Sequence, residues 1–425
     1  MMMPPENEGQ PGEVPFSFVG RRIPSKEAPA KATGSLPFAG DLSLPGLLHG
    51  KVLRSPHPHA LIKRIKSEAA RRKPWVKAVM TAADIPGTNR YGLILPDQRV
   101  LAEGKVRFRG EAVALVAAES EDAAEEALSL IRVDYRPLPG VFSPEEALKP
   151  DAPLVHEQGN LLLHTRLEKG EVEEGFQRAG ATVERTYRMV PVDHAYLETE
   201  SGLAAPEPSG HITIWSSTQH PFRDRRQIAP VLGMEASRIR VVQAATGGAF
   251  GGKDDITVEI FLGLLVQSTG RPVRIAFGRE ESLCSQTKRH AMKIRCRFGA
   301  DGSGRLTAAD ILIYSDTGAY ASLGPFVTRK ATLHALGPYS CPNFRGESFC
   351  VYTNNVPAGP MRGFGVVQAA FCHESQMDLL AGELGLSPLE IRLKNALRPG
   401  DSMTTGHVLR ESVGVVKTLE ALRER

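Results

Sequence analysis

The chain has 425 residues, enough for two or three domains, and its 41% hydrophobic and 24% charged residues are ordinary for a soluble globular protein. A formal charge of +4 is small for that length and makes no electrostatic case for nucleic acid or an acidic membrane surface. Cys284, Cys296, Cys341, Cys350 and Cys372 are widely spaced with no CxxC pair, so the chain offers neither a zinc ribbon nor an iron–sulfur cluster.

Residues 1–20 open with "MMMPPENEGQPGEVP", a loose Pro/Gly/Glu tail without the apolar core of a signal peptide. No apolar run nears the ~18 residues of a membrane span. An odd cysteine count without a secretion signal points to reduced thiols in the cytoplasm. The basic clusters Arg71–Lys73 and Arg223–Arg226 read as solvated faces.

"LLHGKVLRS" and "ALIKRIK" alternate like strands, and "EAVALVAA" reads as a buried strand. "SEDAAEEALSLI" is a helix with a Ser cap and early acids. These make an α+β domain over 21–150, leaving through "LKPDAPLVHEQGN" as a linker. A second α+β domain over 151–425 opens with the strands "ATVERTYRM" and "HITIWSSTQ". "PFRDRRQIAPVLG" is a helix closed by Gly233, and "MKIRCRFGADGSGRLTAADILIYSD" a hairpin turning at "ADGSG".

Two stretches of this second region share one plan. "RIRVVQA" reads as a strand, Gly247–Gly252 holds four glycines, and a helix is expected over 256–267. "SFCVYTNN", the loop Pro357–Gly365 and another long helix repeat the order. Glycines between a strand and a helix let a ligand touch backbone and present free amides at a helix N-terminus. The first loop is no dinucleotide fingerprint, since Ala249 occupies a required glycine position, and no P-loop, since no Ser or Thr follows Lys253. A tight turn with helix–strand packing is the plainer alternative for one such loop. Arg362 can clamp an anion or make a surface salt bridge. Phe364, between two glycines, has reason for exposure if it packs on something flat. Gln219 sits at a strand end, where its amide can reach a site or cap.

The chain resembles the molybdopterin-binding subunit of the xanthine dehydrogenase and aldehyde oxidase family, the molybdenum hydroxylases. The resemblance rests on "DLSLPGLLHGKVLRSPHPHALIKRI", "VDHAYLETES", "WSSTQHP", "TGGAFGGKDD" and "MRGFGVVQ", in that order. The chain resembles in particular the family's split form, the large molybdopterin subunit of bacterial nicotinate dehydrogenase. The implied fold is an α/β hammerhead-type domain followed by the first molybdopterin-binding α+β domain. The implied cofactor is molybdenum-molybdopterin in its cytosine dinucleotide form, held by the pterin dithiolene with no side chain on the metal. The resemblance places Gln219, Gly248, Phe250, Gly251 and Arg362 at the cofactor. Phe364 matches a ring that stacks on a heteroaromatic substrate. Asp254 stands where purine-oxidising members carry glutamate, and Lys330 where they carry arginine, with Arg329 adjacent. An acid and a cation are kept, while purine specificity is put in doubt.

In the family a second cofactor-binding half follows, bearing a glutamate base. This sequence has no counterpart of it before Arg425, so no catalytic residue is expected in this chain. A second molybdopterin-binding chain is expected to bring the base, with 2Fe-2S and FAD on further subunits. The implied reaction is oxidative hydroxylation of a small N-heteroaromatic with water as the oxygen source. Aldehyde oxidation, or a non-catalytic half-site protein, are the alternatives. Three weaker features remain. His57 and His59 would share a strand face but lack a third metal ligand. His194 and Glu198 would share a helix face, with Glu198 and Glu200 as an acid pair or structural support. "TKRH" at 287–290 reads as a charged surface turn.

Overall fold

A computed structural model describes residues 17–423. Most of the expected tail therefore lies outside the described residues, and 17–20 form exposed bends and turns. Two sheets carry the architecture. The larger has seven strands in the order Ile239–Gln243, Ile212–Ser216, Ser201–Pro206, Val273–Ala276, Leu48–Arg54, Ala112–Ala118 and Val76–Met80. "AVALVAA" is buried at every position because it lies between two neighbours with cover on both faces, which suits an unbroken apolar run.

This sheet draws strands from both sides of residue 150. Leu48 pairs in parallel with Val273, so the hammerhead segment and the second region share one hydrogen-bonded layer. Division of the chain at that point does not divide the core. The connector over 148–160 is also ordered: buried Asn160 accepts from the Val155 amide at 2.9 Å and donates to the Ala147 and Pro153 carbonyls.

The helix Glu259–Thr269 packs on the larger sheet and is buried from Glu259 through Val266. Its almost wholly apolar sequence suits that surrounded position. Gly50 and Gly202 permit the approach, since a Cβ there would meet Leu265 Cδ1 at 2.9 Å and Leu262 Cδ1 at 2.7 Å. The helix starts three residues later than the apolar run suggests. The Thr257 amide and hydroxyl both donate to the Glu259 carboxylate, a local turn that delays helix entry. Two other helices follow expectation. Ser120 caps Glu121–Ser129 by accepting from the Ala123 amide, and Gly233, at φ 61°, closes Pro221–Leu232.

The second sheet has five strands in the order Ala181–Met189, Ala291–Ala300, Leu306–Gly318, Phe344–Tyr352 and Leu161–Lys169. Helices Gly324–Leu333 and Val366–Leu384 cover one face around Phe298, Ile311, Val327, Cys372 and Leu380. A short parallel pairing, Lys288–Arg289 with Ala358–Gly359, anchors the start of the second glycine-rich loop. Within the expected surface turn at 287–290, Lys288 and Arg289 are instead a short strand, and His290 is fully buried. Among the described residues no helix is long and apolar enough to cross a membrane.

Candidate cofactor site

The loop Gly247–Gly252 leaves the edge strand Ile239–Gln243 and is held from behind. Glu198 accepts from the Gly247 amide at 2.8 Å and from Lys253 Nζ at 2.8 Å; Lys253 also donates to the Glu198 carbonyl at 2.9 Å. Lys253 is buried and lies 4.7 Å above the Tyr196 ring. Burial pulls its ammonium below the ordinary value, and Glu198 opposes that shift. A Cβ on Gly247 would lie 2.6 Å from Glu198 Cβ, and one on Gly252 2.6 Å from Tyr196 Cε1. The glycines are therefore required on the inner side by close packing.

Towards solvent the loop shows open backbone. Gly248 and Gly251 have φ of 98° and 102°, and Phe250, a non-glycine residue, has φ 52°. Phe250 is 47% exposed, an unusual exposure for a strained aromatic. Gln219 accepts from the Gly251 amide at 3.0 Å, fixing the loop to the end of the neighbouring strand. The amides of Gly248, Ala249 and Phe250 have no protein acceptor among the described residues.

The second loop is stitched to the first. The Arg362 amide donates to the Phe250 carbonyl at 2.8 Å, and His194 Nε2 bonds the Pro360 carbonyl at 2.8 Å. A Cβ on Gly251 would clash with the Pro360 carbonyl at 2.6 Å. The Arg362 side chain is exposed, with its guanidinium 5.8 Å from the Phe250 ring centre. Gly365 lets the loop press on helix Gly324–Leu333, where a Cβ would meet the Val327 carbonyl at 2.3 Å. That helix delivers Lys330, whose Nζ lies 4.6 Å from the half-buried Phe364 ring centre. Arg329 is exposed on the same helix. Neither these two cations nor Arg362 has a carboxylate partner among the described residues.

Asp254 is turned into the protein. Arg223 donates to both its oxygens at 3.4 and 3.3 Å, and His220 Nε2 contacts Oδ1. Arg223 is thus no solvated surface charge; a buried carboxylate draws it inward. Three other expectations change. The first loop does not feed a helix N-terminus, because six residues separate Gly252 from Glu259. The second does, with Gly365 as the residue before helix Val366–Leu384. His57 and His59 lie in a loop between strands: His59 Nδ1 bonds the Pro139 carbonyl at 2.6 Å and His57 sits edge-on to Tyr135. His194, Glu198 and Glu200 lie on irregular backbone, held by the glycine-loop bonds above and by Tyr196 and Ser282 on Glu200. Among the described residues no three His, Cys, Asp or Glu side chains could together hold a metal ion.

A family model described as the molybdopterin cofactor-binding domain matches residues 155–396, more than half of the chain. The chain belongs to that family. A second model, the a/b hammerhead domain of aldehyde oxidase and xanthine dehydrogenase, matches residues 33–139. The family's strand and loop arrangement is shared with solved relatives. Aldehyde oxidoreductase from Desulfovibrio gigas superposes with a TM-score of 0.90 at 32% identity, over 94% of this chain and 46% of that one. Quinoline 2-oxidoreductase from Pseudomonas putida 86 gives 0.89 at 31% identity, over 95% and 53%. The nicotinate dehydrogenase large molybdopterin subunit of Eubacterium barkeri is 41% identical over 96% of both chains. A probable xanthine dehydrogenase subunit of Bacillus subtilis (strain 168) is 46% identical over 94% of this chain and 54% of its own length. The chain thus spans about half of several curated relatives and nearly all of one.

The residues present fit a pterin cofactor. Open amides and positive-φ glycines admit a flat, hydrogen-bonding group, and Arg362 supplies an unpaired cation beside them. Sequence alone missed His220, Arg223 and the weight of Lys253. Only the position of Lys253 directly after a glycine run hinted at its role, as a buried tether of that run.

Proposed function

We propose that this chain is the molybdopterin-binding large subunit of a multi-subunit molybdenum hydroxylase acting on N-heteroaromatics, with water as the oxygen source. The observation that supports it most is the stitching of two loops, Phe250 to Arg362, which sets a glycine cradle beside an exposed guanidinium and the Phe364–Lys330 pair. Gln219, Gly248, Phe250, Gly251 and Arg362 would hold molybdenum-molybdopterin, in its cytosine dinucleotide form. When bound, that cofactor supplies the redox and oxygen-transfer chemistry. The chain's own residues bind and orient. Phe364 offers a ring face to a flat substrate, while Lys330 and Arg329 meet a carboxylate or carbonyl on its edge. Asp254, engaged by Arg223 and His220, serves to fix those two groups rather than to bond a purine ring, which favours a nicotinate-like substrate.

The match over nearly the whole Eubacterium barkeri large subunit supports a second molybdopterin-binding chain that completes the pocket and carries the glutamate base. Iron–sulfur and FAD subunits would then pass the electrons on. The test is a set of kcat/KM values of the assembled complex for nicotinate, an uncharged pyridine, hypoxanthine and benzaldehyde. Nicotinate should lead. Preference for benzaldehyde would overturn the heteroaromatic assignment.

A further inference from the structure

Asp224 is a buried acid that the proposed function leaves unused. It follows Arg223 in the first turn of helix Pro221–Leu232 and is 1% exposed. Its Oδ2 accepts from the Thr218 hydroxyl, and its Oδ1 is buried with no hydrogen-bond partner among the described residues. A helix dipole ordinarily favours a charged carboxylate in the first turn. Here the surroundings outweigh it. The ionisable groups facing Asp224 are Glu259 on helix Glu259–Thr269, Asp254 in the segment before that helix, and Arg223 on its own helix. Arg223 is drawn to Asp254 at 3.3 Å, so two carboxylates oppose a charge on Asp224 and that cation is already engaged. Burial, then Glu259, lift the Asp224 carboxyl from 3.8 to about 8, against the opposing pull of the Thr218 bond.

Thr218 connects this acid to the candidate cofactor site. Its hydroxyl accepts from the His220 amide at 3.0 Å while donating to Asp224, and its carbonyl accepts from Gln243 Nε2 at 2.8 Å. The Asp224 amide returns to the His220 carbonyl at 3.0 Å. These bonds close a turn over residues 218–220 with Gln219 at its centre. The Gln219 amide donates to the Lys253 carbonyl at 3.0 Å, and its side chain accepts from the Gly251 amide at 3.0 Å. A hydroxyl has one proton to donate, so Asp224 decides where that of Thr218 points. A charge on Asp224 would sit beside two carboxylates out of water, and the fold relieves it by letting water in at the turn.

We infer that Asp224 is a positioning residue for Gln219: as a neutral acid it fixes the Thr218–His220 turn that holds the Gln219 amide oxygen on Gly251, and its ionisation loosens that turn and the glycine loop with it. The loosening concerns this chain's own residues. Only its effect on cofactor retention rests on the function proposed above.

The test uses the affinity-tagged full chain as it purifies from its host, accompanying chains included, with the isosteric, non-ionising Asp224→Asn as reference. Amide hydrogen exchange is measured below and above pH 8, each rate divided by that of unstructured peptide so that the chemical pH dependence cancels. Above pH 8, residues 218–220 and 247–252 of wild type should exchange about tenfold faster than in Asp224→Asn, and below it the two should match. Residues 226–232 should respond in neither, which separates local release from unfolding. The wild-type-minus-variant infrared spectrum at neutral pH should carry the carbonyl band of a protonated carboxyl, and the band should fade above pH 8. Asp224→Ala, which removes the acceptor of Thr218, should loosen both segments at every pH. Wild type and Asp224→Asn that exchange alike on both sides of pH 8, or a difference spectrum without that band, would overturn the inference. If exchange responds as expected while molybdenum retention stays constant across pH 8, the positioning role of Asp224 stands and the cofactor role of Gln219 fails.

Discussion

Gln219 and Arg362 reach the same loop from opposite sides, one by accepting from the Gly251 amide and the other through its own amide on Phe250. Neither side chain carries core packing, so Gln219→Ala and Arg362→Ala should leave melting nearly unchanged. Loss of one polar contact that matters in a transition state costs about 2.7–4 kcal/mol, or 10²–10³ in kcat. Early melting with normal turnover per folded complex would make both residues structural. For Phe364→Ala, loss of an aromatic contact worth roughly 0.5–1.5 kcal/mol should raise KM for heteroaromatics several-fold. Lys330→Met should lower the ratio of kcat/KM for a carboxylated ring over its uncharged analogue. An unchanged ratio there and in Arg329→Met would remove both cations from the pocket. Asp254 shows where residue-level reading stops: the sequence identifies an acid after the glycine run, but its direction is set by Arg223 and His220 on another helix and its entry.

The glycine loop is built at the scale of whole elements. Its strand, its glycines and its partner loop were legible, because four glycines in six residues and a repeated strand–loop–helix plan are local signals. A supporting role for Glu198 was open from the sequence, but its pairing with Lys253 was not legible, because Glu198 lies 55 residues before Lys253 and only the fold joins them. Removing one member of a buried ion pair strands the other charge and costs about 3–5 kcal/mol. Glu198→Ala should therefore lower the melting temperature by several degrees, whereas Glu27→Ala, at the exposed Glu27–Lys31 pair, should change it little. Equal effects would mean the Lys253 pair is not a tether. Helix ends divide along the same line. The delay before Glu259 depends on a side-chain turn at Thr257 that the apolar run hides, whereas the Ser120 and Gly233 ends follow from single residues.

Across the whole molecule, the two sheets meet through buried polar groups. Asp255, beside the larger sheet's helix, accepts from Ser322, which leads into helix Gly324–Leu333. Burial raises the Asp255 carboxyl from 3.8 to about 6, and the Ser322 hydroxyl only partly offsets this. The folded chain keeps that proton where the unfolded chain has lost it. The stabilisation is complete below pH 3.8 and is lost as pH rises through about 6. A shift of this size corresponds to about 3 kcal/mol. Asp255→Asn should remove this component, so wild-type melting falls relative to the variant between pH 4 and about 7; parallel curves would contradict it.

The seven-stranded sheet also explains why a division at residue 150, plausible from composition, hides the shared layer: parallel pairing of Leu48 with Val273 leaves no local trace. On the function proposed above, the loops form one side of a cofactor pocket and a second chain supplies the other. The most direct measurement is molybdenum per polypeptide, with nicotinate turnover, for the tagged chain purified alone and with its companion. The isolated chain should hold little metal and turn nothing over, and the complex should approach one molybdenum per chain with activity. Full molybdenum occupancy and turnover by the isolated chain would contradict the account.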